Sequence, residues 1–352
     1  MGEESIAPFP PTRPAPPLRS SCPAMTARRA IAVIGASGFI GRSVAAALER
    51  HQVEMVPIRA PRLPPITGGS ADYLRPDSHL VRDLAARLAG VAAVVNAAGI
   101  ADAAATEEPI LTAANSLLPG LVGRAAKSAD VTRVIHISSA AVQGRIPVLD
   151  SAEVTHPFSP YSKSKAVGES FALRHGPTTT VVYRPAGVHG IERAVTRSIA
   201  RIARSRLACV AEPGDANSPQ ALIENVADAV AFLATTELTP PRVVHHPTEG
   251  ITTTLLLKLL GGNDPAHIPA MPARSLVSAG RAAATMIPSM AAHVRRLEML
   301  WFGQAQATSW LSQVGWRPPS GMDAWREIGR VLAEQDSTHN PGRTEERGGR
   351  PG

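Results

Sequence analysis

Cysteine is almost missing from this chain of 352 residues. Two thiols, Cys22 and Cys209, cannot build the disulfide framework of a small secreted domain, and neither stands near a second thiol or a histidine pair at metal-ligand spacing. A metal site is therefore not expected, and a reducing cytoplasm is. Aromatic residues are scarce too, at 4% against 44% hydrophobic residues overall, so Ala, Val, Leu and Ile must build the core. That mixture suits parallel strands covered by helices and offers few rings for stacking nucleobases. No apolar run approaches the roughly 20 residues of a membrane helix. The N-terminus lacks a hydrophobic signal region, and Met1-Gly2 misses the myristoylation pattern because Ile6 fills the Ser/Thr position. A soluble protein without a membrane partner follows. The formal net charge of +7 favours acidic partners. Nucleic acid is not expected among them, since none of the usual recognition motifs is present. A nucleotide cofactor with a phosphorylated substrate would also favour positive potential.

Proline is unevenly spread. Pro8, Pro10, Pro11, Pro14, Pro16, Pro17 and Pro23 crowd residues 1–28, which should be extended and disordered. Residues 335–352 are polar, with Asn340-Pro341-Gly342 and Gly348-Gly349, and should be unstructured as well. Between these tails, apolar runs alternate with helical patterns. Ala30 to Ile34, Val53 to Ile58, Val91 to Val95, Val134 to Ile137 and Thr179 to Tyr183 read as buried strands, with helices between them. Strand, helix, strand over this length indicates an α/β fold with a doubly wound parallel sheet of Rossmann type. Residues 29–184 would form the dinucleotide-binding domain. Strands thin out after Arg184, so residues 185–334 would form a smaller C-terminal substrate lobe, with some strands returning to the sheet.

The first motif is Gly35-Ala36-Ser37-Gly38-Phe39-Ile40-Gly41, after a strand and before a helix. Glycines there permit a sharp turn, close backbone approach to a pyrophosphate and tight helix packing, while the helix N-terminus offers free N–H groups to the anion. At the end of the second strand an NAD enzyme carries an acid for the ribose 2′-OH. Here the chain reads Val56-Pro57-Ile58-Arg59, with Arg62 close behind. A guanidinium suits a 2′-phosphate, which favours NADP; if Arg59 is a solvated surface residue, NAD remains open. The second motif is Tyr161-x-x-x-Lys165, whose four-residue spacing puts both side chains on one helix face. An ammonium beside a phenol favours phenolate and makes the tyrosine a proton carrier near neutral pH.

The glycine loop, Ser138-Ser139-Ala140-Ala141-Val142-Gln143-Gly144 and Tyr161/Lys165, in this order, resemble the extended short-chain dehydrogenase/reductases, the family of NAD-dependent epimerases and dehydratases. The resemblance spans nearly everything from Arg29 to Glu334. It implies that Ser139 hydrogen-bonds the substrate oxygen, Tyr161 moves the proton and Lys165 holds the nicotinamide ribose. It implies cofactor contacts from Gly35, Ser37, Gly38, Phe39, Ile40 and Gly41, from Ala97, Ala98 and Gly99 after the third strand, from Asn115 in a helix spanning 111–121, and from Pro185 and Val188. His189 replaces a family tyrosine as a packed loop residue, and Gln143 replaces another that matters for packing. Ile223 to Ala229 and Gly315-Trp316-Arg317-Pro318 resemble elements of the nucleotide-sugar members. Ala140 and Ala141 stand where the 4,6-dehydratases carry an acidic pair, which disfavours that reaction.

Substrate binding is assigned to Ser139, Tyr161 and Arg296; Arg295 and Arg296 lie about where some epimerases hold a diphosphate. Arg193, Arg197 and Arg201 fall four apart on one prospective helix face. The reading is a nucleotide-sugar epimerase or 4-ketoreductase using NADP or NAD, with a homodimer as an open option. The alternatives are reduction of a small non-sugar ketone, in the manner of dihydroflavonol reductases, and a non-catalytic NADP-sensing regulator.

Overall fold

The computed structural model describes residues 30–66, 71–287 and 289–339. Six parallel strands form the central sheet: β1 (Ile31–Ile34), β2 (Met55–Ile58), β3 (Ala93–Asn96), β4 (Arg133–Ile137), β5 (Thr180–Arg184) and β6 (Val243–His245). Their spatial order is β2-β1-β3-β4-β5-β6. Registers such as Ile34 opposite Asn96 and Asn96 opposite His136 align the carboxyl ends of β1, β3 and β4. The order reverses between β1 and β3, and in open α/β sheets that crevice receives the ligand.

Helices cover both faces, which is why β1, β3 and β5 are buried along their whole length. They are α1 (Phe39–Arg50), α2 (His79–Leu88), α3 (108–128) and α4 (Pro160–His175), then α5 (Ala194–Ala203), α6 (Ile223–Thr235), α7 (Thr253–Gly261), α8 (Ala270–Met286), α9 (Met290–Phe302) and α10 (Met322–His339). Val44 and Leu48 of α1 and Val226 and Val230 of α6 pack on Ile31, Val33 and Ile135 at one face. Leu84 and Leu88 of α2 and Leu117, Leu121 and Val122 of α3 pack on Ala32, Ile34 and Val134 at the other. The C-terminal lobe has its own core, in which Ala200 and Ala203 of α5 and Leu256, Leu257 and Leu260 of α7 surround Trp325 and Ile328 of α10.

The Rossmann-type sheet stands as expected, and the five strands read from the sequence are present. The sixth, β6, was not read, because Val243-Val244-His245 is too short to show a pattern. Helix α10 runs to His339, so residues 335–339 continue a helix where polarity suggests a tail. The proline-rich stretch 1–28 lies outside the described residues, as does the tail beyond 339. The two family-like elements near the C-terminus meet each other: Asn225 exchanges hydrogen bonds with Ser320 N and O (2.8 and 2.9 Å), and Trp316 Nε1 donates to Asp228 (3.0 Å).

Candidate active site

Two glycines of the first loop are required by packing alone. A Cβ on Gly35, at φ +85°, would lie 2.7 Å from Ala98 N, and one on Gly41 would lie 2.0 Å from Gly35 O. Gly38 differs: its Cβ would meet only Gly35 O, at 3.3 Å. The outer side of Gly38 is thus open, at the start of α1, where backbone N–H groups await an anion. Across the crevice, Ala97, Ala98 and Gly99 form the opposite wall. Gly99, at φ +147°, leaves room for Asn115 Oδ1 and Lys165 Nζ, which a Cβ would approach to 2.7 and 3.5 Å. These small, open positions fit a dinucleotide.

Asn115 is buried. Its Oδ1 accepts from Ile100 N (2.9 Å), and its Nδ2 donates to Ile100 O (3.1 Å) and to Ser164 Oγ (3.2 Å). It therefore pins the wall to the helix that carries Tyr161 and Lys165. The segment Thr112–Leu117 of α3 is π-helical, with Leu118 N donating to Ala113 O, where the sequence suggested plain α-helix. Pro119 has no N–H for the Asn115 carbonyl, which accounts for the wider turn. Helix α4 crosses that carbonyl at Gly168, where a Cβ would come within 2.0 Å of it.

Helix α4 begins where a capping box sets it. Ser159 Oγ accepts from Ser162 N (3.2 Å), Ser162 Oγ accepts from Ser159 N (2.9 Å), and Pro160 occupies the first turn. Tyr161 and Lys165 follow on one buried face. Lys165 Nζ donates to Ile137 O (3.1 Å) at the end of β4. Ser139, two residues further, accepts from Ala141 N (3.2 Å), and its side chain acts on the Tyr161 hydroxyl so as to lower its pKa. Ser138 Oγ is buried without a protein partner.

Burial raises the Tyr161 pKa, opposed by the Ser139 hydrogen bond and by the Arg193 guanidinium, while Asp102 raises it further. Desolvation dominates at this phenol, and the cation acting on it is Arg193 rather than Lys165, which the four-residue spacing suggests. Lys165 itself is pushed down to about 8 by burial, partly offset by Glu169. Between that value and the ordinary one of 10.5, the unfolded state holds a proton the native state has shed, so stability rises with pH there. Below about 8 the full cost of the buried ammonium is present. Lys165→Met should accordingly raise stability at pH 7 by on the order of 1–3 kcal/mol. The gain should shrink toward zero as the pH approaches 10, as urea unfolding at the two pH values would measure.

Other candidates fall around this core. Pro185 O accepts from Ala140 N (2.9 Å), and Val188 lies in a short strand, Gly187–His189, beside Gln220–Leu222. His189 is buried between Gln220 (2.7 Å) and Thr196 (3.1 Å) and pushed down to about 4, a packed residue as read. Gln143 clasps Asp150 through both ends of its amide (2.7 and 3.2 Å). Arg59 is exposed at the end of β2, next to the exposed Arg62, and Arg87 of α2 donates to its carbonyl (2.6 Å). Arg193, Arg197 and Arg201 follow four apart along α5, with Arg193 as its capping residue, whose carbonyl accepts from Arg197 N (3.1 Å), while the Arg197 guanidinium folds back to Ile191 O (3.2 Å).

The adjacent arginines Arg295 and Arg296 point different ways. Arg296 is exposed on α9. It is Arg295 that turns inward, to Gly144 O (2.9 Å), to Gln304 Oε1 and to Glu298 (3.1 Å). Arg145 (3.0 Å) and Arg281 hold the same carboxylate. Three guanidiniums on one carboxylate leave two positive charges beside the loop that carries Ser139. Burial and mutual repulsion push Arg295 down to about 10. Sequence reading missed Arg145 and Arg281, because neither stands in a motif. Among the described residues, no cluster of three or more His, Cys, Asp or Glu could hold a metal ion, and no helix is long and apolar enough to cross a membrane.

Comparison with known proteins agrees with this fold. The family model described as "NAD dependent epimerase/dehydratase family" matches residues 31–245. No curated protein matches by sequence. Among solved structures, a short-chain dehydrogenase/reductase superfamily protein from Agrobacterium tumefaciens with bound NAD is 16% identical, with a TM-score of 0.61, covering 89% of this chain and 100% of that one. The UDP-glucuronic acid 4-epimerase of Bacillus cereus, in complex with NAD, is 16% identical at a TM-score of 0.59, over 87% and 99% of the two chains. The dTDP-4-dehydrorhamnose reductase of Bacillus anthracis, in complex with NADP, is 14% identical at 0.58, over 88% and 99%.

Proposed function

Since the chain belongs to the NAD dependent epimerase/dehydratase family, we propose that it is an enzyme moving a hydride between a nicotinamide dinucleotide and a ring carbon of a nucleotide sugar, as an epimerase or a 4-ketoreductase. The observation that carries the substrate class is the Arg145, Arg281 and Arg295 cluster on Glu298, at Gly144, which ends the turn that Ser139 caps. An excess of guanidinium at that place suits a diphosphate, which the small non-sugar ketone of the alternative reading lacks. The epimerase and the reductase named above act on sugar nucleotides, which supports the same reading.

The dinucleotide supplies hydride acceptance and donation; the chain supplies the proton chemistry. Tyr161 exchanges a proton with the sugar hydroxyl, Ser139 donates a hydrogen bond to that oxygen, and Lys165 holds the ribose hydroxyls while its charge supports proton movement. Keeping the oxidised sugar until the hydride returns to its opposite face gives epimerisation. Taking up a ketosugar gives reduction. The test is a panel of UDP- and dTDP-sugars and their 4-keto forms, followed by absorbance at 340 nm and by product chromatography. Turnover of a non-sugar ketone with none on the whole panel would favour the alternative.

Cofactor preference rests on Arg59, with Arg62 and Arg87 at the same edge. NADP is the reading these charges support. Arg59→Ala should weaken NADPH binding by about 10- to 150-fold while NADH changes little, with a further loss on adding Arg87→Ala. Fluorescence titration checks both, and tighter NADH than NADPH binding by wild type would contradict the preference.

A further inference from the structure

The loop 190–193 leaves the C-terminal lobe and lies against the glycine-rich loop of the other. Gly190 packs on the Phe39 ring so closely that a Cβ would come within 3.1 Å of it. Glu192 pairs with Arg42 of α1 (2.5 Å), and Arg42 Nη1 also donates to Ser37 O (2.8 Å). Arg193 places its guanidinium carbon 5.2 Å over the centre of the Phe39 ring, and its Nη2 donates to Ala101 O (3.2 Å). Phe39 belongs to the wall that leaves β1. Ala101 continues the wall that leaves β3, where Asn115 holds its neighbour Ile100. One side chain from the second lobe therefore touches both sides of the crevice at the point where strand order reverses. The guanidinium thus stands at the N-terminus of α1, and its charge also favours phenolate at Tyr161.

We propose that Arg193 is a clamp on the dinucleotide: it closes over the diphosphate that joins the two nucleotides, and release requires the 190–193 loop to lift. A guanidinium offers five N–H donors, and the Ala101 bond engages one nitrogen of the fork. The Arg42–Glu192 pair is exposed on both sides and contributes little by itself. An anion beneath Arg193 would thus supply much of the hold between lobe and loop. The same contact would ration cofactor exchange, which distinguishes an enzyme that keeps its dinucleotide from one that renews it. The clamp rests on the dinucleotide-binding reading of the crevice.

Stopped-flow fluorescence of bound NADPH and NADH gives the release rates for wild type, Arg193→Ala and Arg193→Lys. Calorimetry with ADP-ribose, which keeps the diphosphate, and AMP, which lacks it, locates the contact. Arg193→Ala should release both reduced dinucleotides about 10-fold faster or more. It should lose ADP-ribose affinity by a similar factor with AMP unchanged, and Arg193→Lys should fall between. Unchanged release from Arg193→Ala, in a wild type that binds dinucleotide, overturns the clamp alone. Equal losses for AMP and ADP-ribose in both variants overturn it too, since the defect is then not at the diphosphate. A wild type that binds neither dinucleotide overturns the clamp and the reading beneath it.

Discussion

Replacing Tyr161 by phenylalanine is expected to lower turnover by about 100-fold or more, with dinucleotide affinity held within about twofold. The ring is buried and packs the same way without its hydroxyl, so the fold should survive. What disappears is the hydroxyl proposed to carry the proton, on which Ser139 acts. Since burial holds the phenol above its ordinary pKa, with Ser139 and Arg193 pulling it down, the remaining activity of Ser139→Ala should need a higher pH than wild type. Turnover of Tyr161→Phe close to wild type, on any substrate the enzyme accepts, would remove Tyr161 from the chemistry.

The largest effect on stability is expected from Glu169→Ala. Glu169 accepts from Arg184 Nε (2.9 Å) and Nη2 (2.7 Å), and Arg184 Nη1 donates to Ala152 O (2.7 Å). Arg184 has no exposed surface. Removing the carboxylate leaves a guanidinium without its counter-charge in the interior, at a cost of about 3–5 kcal/mol. Denaturant unfolding measures it, and the double variant Glu169→Leu with Arg184→Met should recover much of the loss, because no charge is then stranded. The pair also joins β5 to the helix of Tyr161 and Lys165. Glu169 raises the Lys165 pKa, so its loss should move that pKa below about 8. A loss under about 1 kcal/mol would mean that water reaches Arg184 when the pair is broken.

What the sequence made readable follows from how local each signal is. The glycine loop, the strand before it and Tyr161/Lys165 are local: a turn, an apolar run and a four-residue spacing. Structure adds the reason for each glycine, separating Gly35 and Gly41, fixed by their own chain, from Gly38, open to a ligand. Asn115 was identifiable, but not the π-helical turn that holds it, which depends on Pro119 and on Gly168 of another helix. Arg295 and Arg296 are adjacent, and only the rotational phase of α9 decides which turns inward. The Arg184–Glu169 pair, the Arg145 and Arg281 contacts to Glu298 and the Arg193 bridge join residues 15 to 153 positions apart. No periodicity encodes contacts of that kind.

The central claim is that a hydride passes between dinucleotide and sugar carbon under control of Tyr161. Deuterium tracing tests it most directly, using nucleotide sugars deuterated at C4 with NAD and NADP, and mass spectrometry of both sugar and dinucleotide. The expected result is label in the reduced dinucleotide, or label kept on C4 with the configuration inverted, and neither in Tyr161→Phe. Loss of the label to water, or turnover that leaves the C4 label in place without inversion while sugar is consumed, would contradict hydride transfer at that carbon.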